Sequence, residues 1–64
     1  GLEAMIGEIG QSLSDLNPAG TVRMHGEIWK AFSAGGLIPE GEKVIVTGFV
    51  NLTLQVELYN EELA

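Results

Sequence analysis

His25 stands beside Gly26 and near Glu27, and it is the only imidazole in 64 residues that include no cysteine. A metal centre ordinarily draws three or four ligands from His, Cys and carboxylates, so this setting reads as a turn histidine. The hydroxyls of Ser12, Ser14 and Ser33 have that histidine as their only candidate base, with Asp15 as the candidate orienting acid. Serine catalysis needs nucleophile, base and acid in one hydrogen-bonded chain, and none of the three serines lies in a glycine-flanked nucleophile elbow. Asp15, Glu27, Glu40 and Glu42 could in principle pair for acid–base work or hold a hard cation. Either role needs converging oxygens, and their scatter among turn-forming residues reads as solvated charge. The stretch "AGGLIPEG" is rich in glycine, yet it lacks both the lysine and the following helix of a phosphate loop. No catalytic residue, metal ligand or cofactor is expected from these residue types and spacings.

Charge narrows the partners further. Three basic residues stand against nine acidic ones, a formal net charge of −6. Nucleic-acid binding draws much of its free energy from clustered Lys and Arg that displace counterions, and Arg23, Lys30 and Lys43 are isolated from one another along the chain. Trp29 could serve as a stacking platform for a base or a sugar. Its phase with Ala31 favours a core role, because large and small residues two positions apart fill a tapering barrel interior.

The elements that carry these residues are strands. In "TLQVELY", Leu54, Val56 and Leu58 alternate with Thr53, Gln55, Glu57 and Tyr59, the signature of a strand with one buried face. "KVIVTGFV" places Val44, Val46 and Gly48 on one face and Ile45, Thr47 and Phe49 on the other. Asn51 between these two segments suits a hairpin turn. "TVRMH" sets Val22 and Met24 against Thr21, Arg23 and His25, and "EIWKAFS" sets Trp29 and Ala31 against Ile28, Lys30 and Phe32. Gly26 between them supplies a turn. The first strand is expected over about Ile6 to Leu13, and "SDLNPAG" closes it, with Pro18 lacking a ladder donor and Gly20 available for an unusual turn conformation. A helix over the first dozen residues competes through Leu2, Met5, Ile6 and Ile9, but Gly7 and Gly10 weaken it.

Five short strands in one small domain are best closed on themselves, which hides the sheet edges. The expected architecture is therefore all-β, a small five-stranded barrel of OB type over residues 1–64, with an SH3-like barrel as the alternative. Strand alternation then turns Ile28, Phe32, Ile45 and Phe49 outward as one candidate partner surface. The competing expectation is that the N-terminal segment with Leu2 and Met5, or the C-terminal tail with Leu63, folds over that patch as a second small core.

The series "GEIGQSLSDLNPAGTV", "HGEIWKAFS", "LIPEGEKVIV" and "LQV" resembles the C-terminal soluble domain of the NfeD family. The matching positions are Gly7, Gly10, Leu16, Pro18, Gly20, Val22, Gly26, Ala31, Ile38, Gly41, Val44, Val46, Leu54 and Val56. One departure is the last hairpin, where Asn51-Leu52 stands in place of the glycine-polar pair expected there. The resemblance implies an OB-fold barrel that is the soluble part of a longer membrane protein working with a stomatin-type partner. The membrane would then be reached only through the parent's other segments, with this domain on the cytoplasmic side. Long members of the family also carry a serine protease domain related to the Clp class. Its residues have no counterpart in this stretch, so no catalytic residue is carried over. The function expected is a non-enzymatic protein–protein interaction domain that engages a stomatin-type protein or its own copies. The alternative is an OB-fold module for an oligosaccharide or oligonucleotide.

The charge reading makes a direct prediction. Titration with single-stranded DNA or RNA at about 0.15 M salt should show no binding in the micromolar range that ordinary non-specific binders reach; saturable micromolar binding would contradict it.

Overall fold

The computed structural model describes residues 1–61; Leu63 and the end of the acidic tail lie outside the described residues. A short 3-10 helix, η1 (Leu2–Met5), precedes five strands: β1 (Ile9–Ser12), β2 (Ala19–Met24), β3 (Glu27–Ser33), β4 (Lys43–Val50) and β5 (Thr53–Leu58). They close into a barrel in the order β1-β2-β3-β5-β4. All pairings are antiparallel except β3 with β5, which run parallel with Ala31 opposite Leu54 and Ser33 opposite Val56. That order and its single parallel pair give the five-stranded OB-type barrel and exclude the SH3-like alternative.

The interior follows the alternation of each strand. Val22 and Met24 of β2, Ala31 of β3, Val44 and Val46 of β4, and Leu54 and Val56 of β5 are all buried. Two loop residues complete this core. Leu16 and Ile38 exchange backbone hydrogen bonds of 2.7 and 3.0 Å and seal one end of the barrel, each just ahead of a proline. At the other end lie the β2–β3 and β4–β5 turns, where Met5, Trp29 and Phe49 pack against the core as partly buried side chains. Full burial of a Leu, Val or Met side chain contributes roughly 1.5–3 kcal/mol, so these nine buried residues are the main source of stability in so small a domain.

Glycine makes the close approaches possible. A Cβ on Gly10 would overlap the Arg23 carbonyl oxygen and the Met24 Sδ, so the Met24 side chain occupies the volume that any residue at position 10 would need. Gly20 lies within β2 and not in a turn as expected; a Cβ there would come within 2.7 Å of the Asp15 carbonyl oxygen and the Leu16 Cδ2. The turn expected at Gly26 is present, with φ of +76°. Asn51 takes φ of +54° at the last hairpin, a left-handed conformation that Asn tolerates better than most residues, and this accounts for its standing where glycine was expected.

Three expectations require correction. β1 is four residues long, starting at Ile9 and not at Ile6, because residues 2–5 form η1 and Gly7 turns the chain with φ of +92°. The helical alternative therefore survives only as that one turn. The alternation of β4 breaks at a bulge: Val46 pairs with Val56, but Gly48 pairs with Gln55 and Phe49 with Leu54, leaving Thr47 as the extra residue. A bulge shifts the phase of everything beyond it by one. Phe49 consequently faces inward against the core.

Two measurements test this packing. Gly10→Ala should lower stability by about 1–3 kcal/mol or more through overpacking, read as a lower denaturant midpoint. Trp29 emission should be blue-shifted in the native state and move to the red on unfolding, while Trp29→Ala costs toward the lower end of about 3–5 kcal/mol because the ring is only partly buried.

Candidate functional site

The residues able to do chemistry are spread over the barrel and occupied in holding it together. Ser12 is 1% exposed. Its hydroxyl donates to the Pro39 carbonyl at 2.7 Å and accepts from the Glu42 N–H at 2.9 Å, tying β1 to the loop before β4. The Ser14 hydroxyl donates to the Asp15 carbonyl and accepts from the Thr21 N–H, both at 3.1 Å. The Asp15 carboxylate accepts from the Glu40 N–H at 2.9 Å, bridging the two loops at that end. The Ser33 hydroxyl donates to the Gly36 carbonyl.

His25 sits at the opposite end in the β2–β3 turn, with its Nε2 2.9 Å from the Glu8 Oε2. Thus the three serines engage backbone groups and the histidine engages a glutamate just ahead of β1. Among the described residues no three of His, Cys, Asp and Glu come together. A shallow cleft at the Leu16–Ile38 end is lined by Ser33, Gly36, Leu37, Ile38, Glu57 and Leu58, and it offers one carboxylate beside a hydroxyl already hydrogen-bonded to its own loop.

The outer face of the barrel divides the expected patch. Ile28 is 66% exposed and lies opposite Arg23 of β2. Phe32, half-buried, lies between Ala19 of β2 and Gln55 of β5. Ile45 also faces outward, between Ile9 of β1 and Glu57 of β5. β5 separates β3 from β4, so Ile45 belongs to a different part of the surface from Ile28 and Phe32. Phe49 turns inward and packs, partly buried, against the core. Neither terminus covers Ile28 among the described residues; η1 instead packs beside β4 and sends Met5 to the core.

Reading along the chain, the cations looked isolated, and the hairpin corrects this. Arg23 pairs with Ile28 and Thr21 with Lys30, which puts both cations on the outer face of β2 and β3 as diagonal neighbours, a relation that spans about 7–8 Å in a sheet. Lys43 is different, because its ammonium pairs with the Glu61 carboxylate. The signal for the first two was available in the shared phase of "TVRMH" and "EIWKAFS" once those segments were folded against each other.

Comparison with known proteins agrees with this geometry. The pattern of the NfeD-like C-terminal, partner-binding domain matches residues 2–57. The chain is 49% identical over 57 residues to the membrane-bound protease PH1510 of Pyrococcus horikoshii, a stretch that covers 88% of this chain and 13% of that protein. The chain therefore spans about an eighth of that relative. Among solved structures, the C-terminal domain of stomatin operon partner protein 1510-C from Pyrococcus horikoshii superposes with a TM-score of 0.87 at 45% identity, covering 92% of this chain and 94% of that one. The soluble domain of a membrane protein implicated in regulation of membrane protease activity from Corynebacterium glutamicum gives 0.82 at 32% identity, with 88% and 94% covered. With the sequence pattern, the barrel order and these superpositions in agreement, the chain belongs to the NfeD family, as its C-terminal, partner-binding domain.

Proposed function

We propose that this domain is a non-enzymatic protein-binding module, the C-terminal soluble part of a longer membrane protein, and that its partner is a stomatin-type membrane protein. The observation that carries the reading is the outward placement of Ile28 and Phe32 on a barrel whose interior is already filled by its own side chains. A filled interior leaves the outer surface as the place for recognition, and apolar residues grouped on a surface commonly mark a protein contact. The partner-binding description of the family and the stomatin operon partner among its solved relatives support the identity of the partner. Protease activity in the much longer relative resides, on this reading, in the seven-eighths of that protein that this chain does not match. The domain acts on the cytoplasmic side, tethered through its parent.

The test uses the full-length parent and the stomatin-type protein in a pull-down, with light scattering of the isolated barrel to read association between its own copies. Ile28→Glu and Phe32→Glu should each weaken capture at least about tenfold, the effect of losing a central apolar contact, while circular dichroism stays native. Ile45→Glu, on the separate surface beside Ile9, measures whether the contact extends across β4. Phe49→Glu should unfold the barrel, since it buries a charge against the core. Unchanged capture in both β3 variants, or no capture by the parent, would defeat the proposal; capture of copies of the barrel alone would replace the stomatin-type partner with self-association.

A further inference from the structure

The outer face of the β2–β3 hairpin differs in chemistry from the rest of this acidic chain. Arg23 and Lys30 lie on it with neither ion-paired among the described residues, whereas Lys43 is paired with Glu61. Ile28 lies opposite Arg23, and Phe32 follows Lys30 at two-residue spacing. The rows across this face run Arg23–Ile28, Thr21–Lys30 and Ala19–Phe32–Gln55, and none contains a carboxylate. In a chain with nine acidic residues, these three rows gather two of the three cations and no carboxylate, with Glu27 beside Ile28 and Glu57 diagonal to Phe32 marking their acidic border.

Along β3 the outward order is apolar, cationic, apolar, at steps of about 7 Å, since side chains on one face of a strand recur every second residue at roughly 3.4 Å each. Resting on the partner reading above, we infer that this face binds an acidic protein segment of complementary order: an extended stretch that sets a carboxylate between two apolar side chains, the acid against Lys30 and Arg23 and the apolar residues against Ile28 and Phe32. Charge complementarity selects the occupant. An anionic membrane would meet the same two cations but presents charge over an area wide enough to encounter the bordering carboxylates Glu27 and Glu57, and a polyphosphate has no apolar group to set against Ile28 and Phe32; an extended peptide avoids the first problem and supplies the second need. Complementary charge of this kind sets register and association rate more than total affinity.

The experiment is an NMR titration of the 15N-labelled domain with three probes: a peptide repeating leucine, serine, glutamate and serine; its counterpart with lysine for glutamate; and vesicles containing phosphatidylglycerol. The glutamate peptide should shift amides of β2 and β3 and no others. Its apparent affinity should fall roughly tenfold or more in Arg23→Glu/Lys30→Glu, about what the loss and reversal of two exposed ion pairs gives, and should fall with added salt. Lys43→Glu, which alters net charge equally per residue away from this face, should leave it unchanged. Equal binding of the lysine peptide, stronger binding of the vesicles, or shifts that map elsewhere would each overturn the inference. The same double variant in the pull-down separates the two readings. Normal capture of the stomatin-type protein by Arg23→Glu/Lys30→Glu removes this inference and leaves that partner in place. Failure of the wild-type parent to capture it, with peptide shifts still on β2 and β3, does the reverse.

Discussion

The whole barrel depends on β1, because the ring closes only through this four-residue strand. It meets β2 at two paired positions and β4 at three, too few for ladder hydrogen bonds alone to secure when each contributes about 0.5–1.5 kcal/mol net. Two devices make up the difference. Gly10 lets β1 press against β2 until Met24 fills the space beneath it. Ser12, at the end of the strand, adds hydrogen bonds from its backbone and its hydroxyl to Pro39, Gly41 and Glu42, extending closure into the loop before β4. Both devices work through contacts remote in sequence, and the buried hydroxyl is satisfied within the chain, so nothing at this position is left for catalysis.

The interior of the ring is filled by its own side chains, and the proposed recognition uses the outer wall. There the strand order decides which residues can cooperate. Placing β5 between β3 and β4 separates Ile45 from Ile28 and Phe32, and the bulge at Thr47 gives Phe49 to the core. Thr47 itself turns outward, where its hydroxyl accepts from the Gln55 Nε2 at 3.0 Å and holds the bulge in register with β5. The same irregularity therefore tightens one end of the interior and narrows the apolar surface outside.

What could be read from residues alone follows the reach of local patterning. The alternation of Thr53–Leu58, Thr21–Met24 and Glu27–Phe32 specified three strands and most of their inward faces, because period-two patterning is a property of consecutive residues; Leu58, expected inward with Leu54 and Val56, is instead exposed at the end of β5. The bulge could not be read, since an inserted residue such as Thr47 has no compositional mark of its own and shows only once a partner strand is aligned. The parallel pairing of β3 with β5 was equally hidden, being a contact between segments with β4 and a loop between them. Leu16 and Ile38 sit in loops outside any periodic run, yet each is an apolar residue just ahead of a proline, and of the Leu37-Ile38 pair only Ile38 is buried. Arg23 and Lys30 looked unrelated for a similar reason: seven positions apart along the chain, they become neighbours only through the hairpin at Gly26.

The connection between β3 and β4 is fastened at its two flanks and, within the loop, by the Ser33 hydroxyl to the Gly36 carbonyl. Ser33 is tied at its N–H to the Pro18 carbonyl, and Ile38 is tied to Leu16. Between them, Gly35 and Gly36 have open space around their α-carbons. Loop-closure entropy rises by only about 0.6 kcal/mol for each doubling of loop length, so lengthening the chain between those two glycines costs chiefly the Ser33 hydroxyl's bond to Gly36, while the Ser33 N–H and Ile38 keep their backbone anchors. This loop lies at the barrel end away from the β2–β3 turn, which makes it a permissive place to graft a fluorophore-bearing or affinity segment without disturbing the hairpin face.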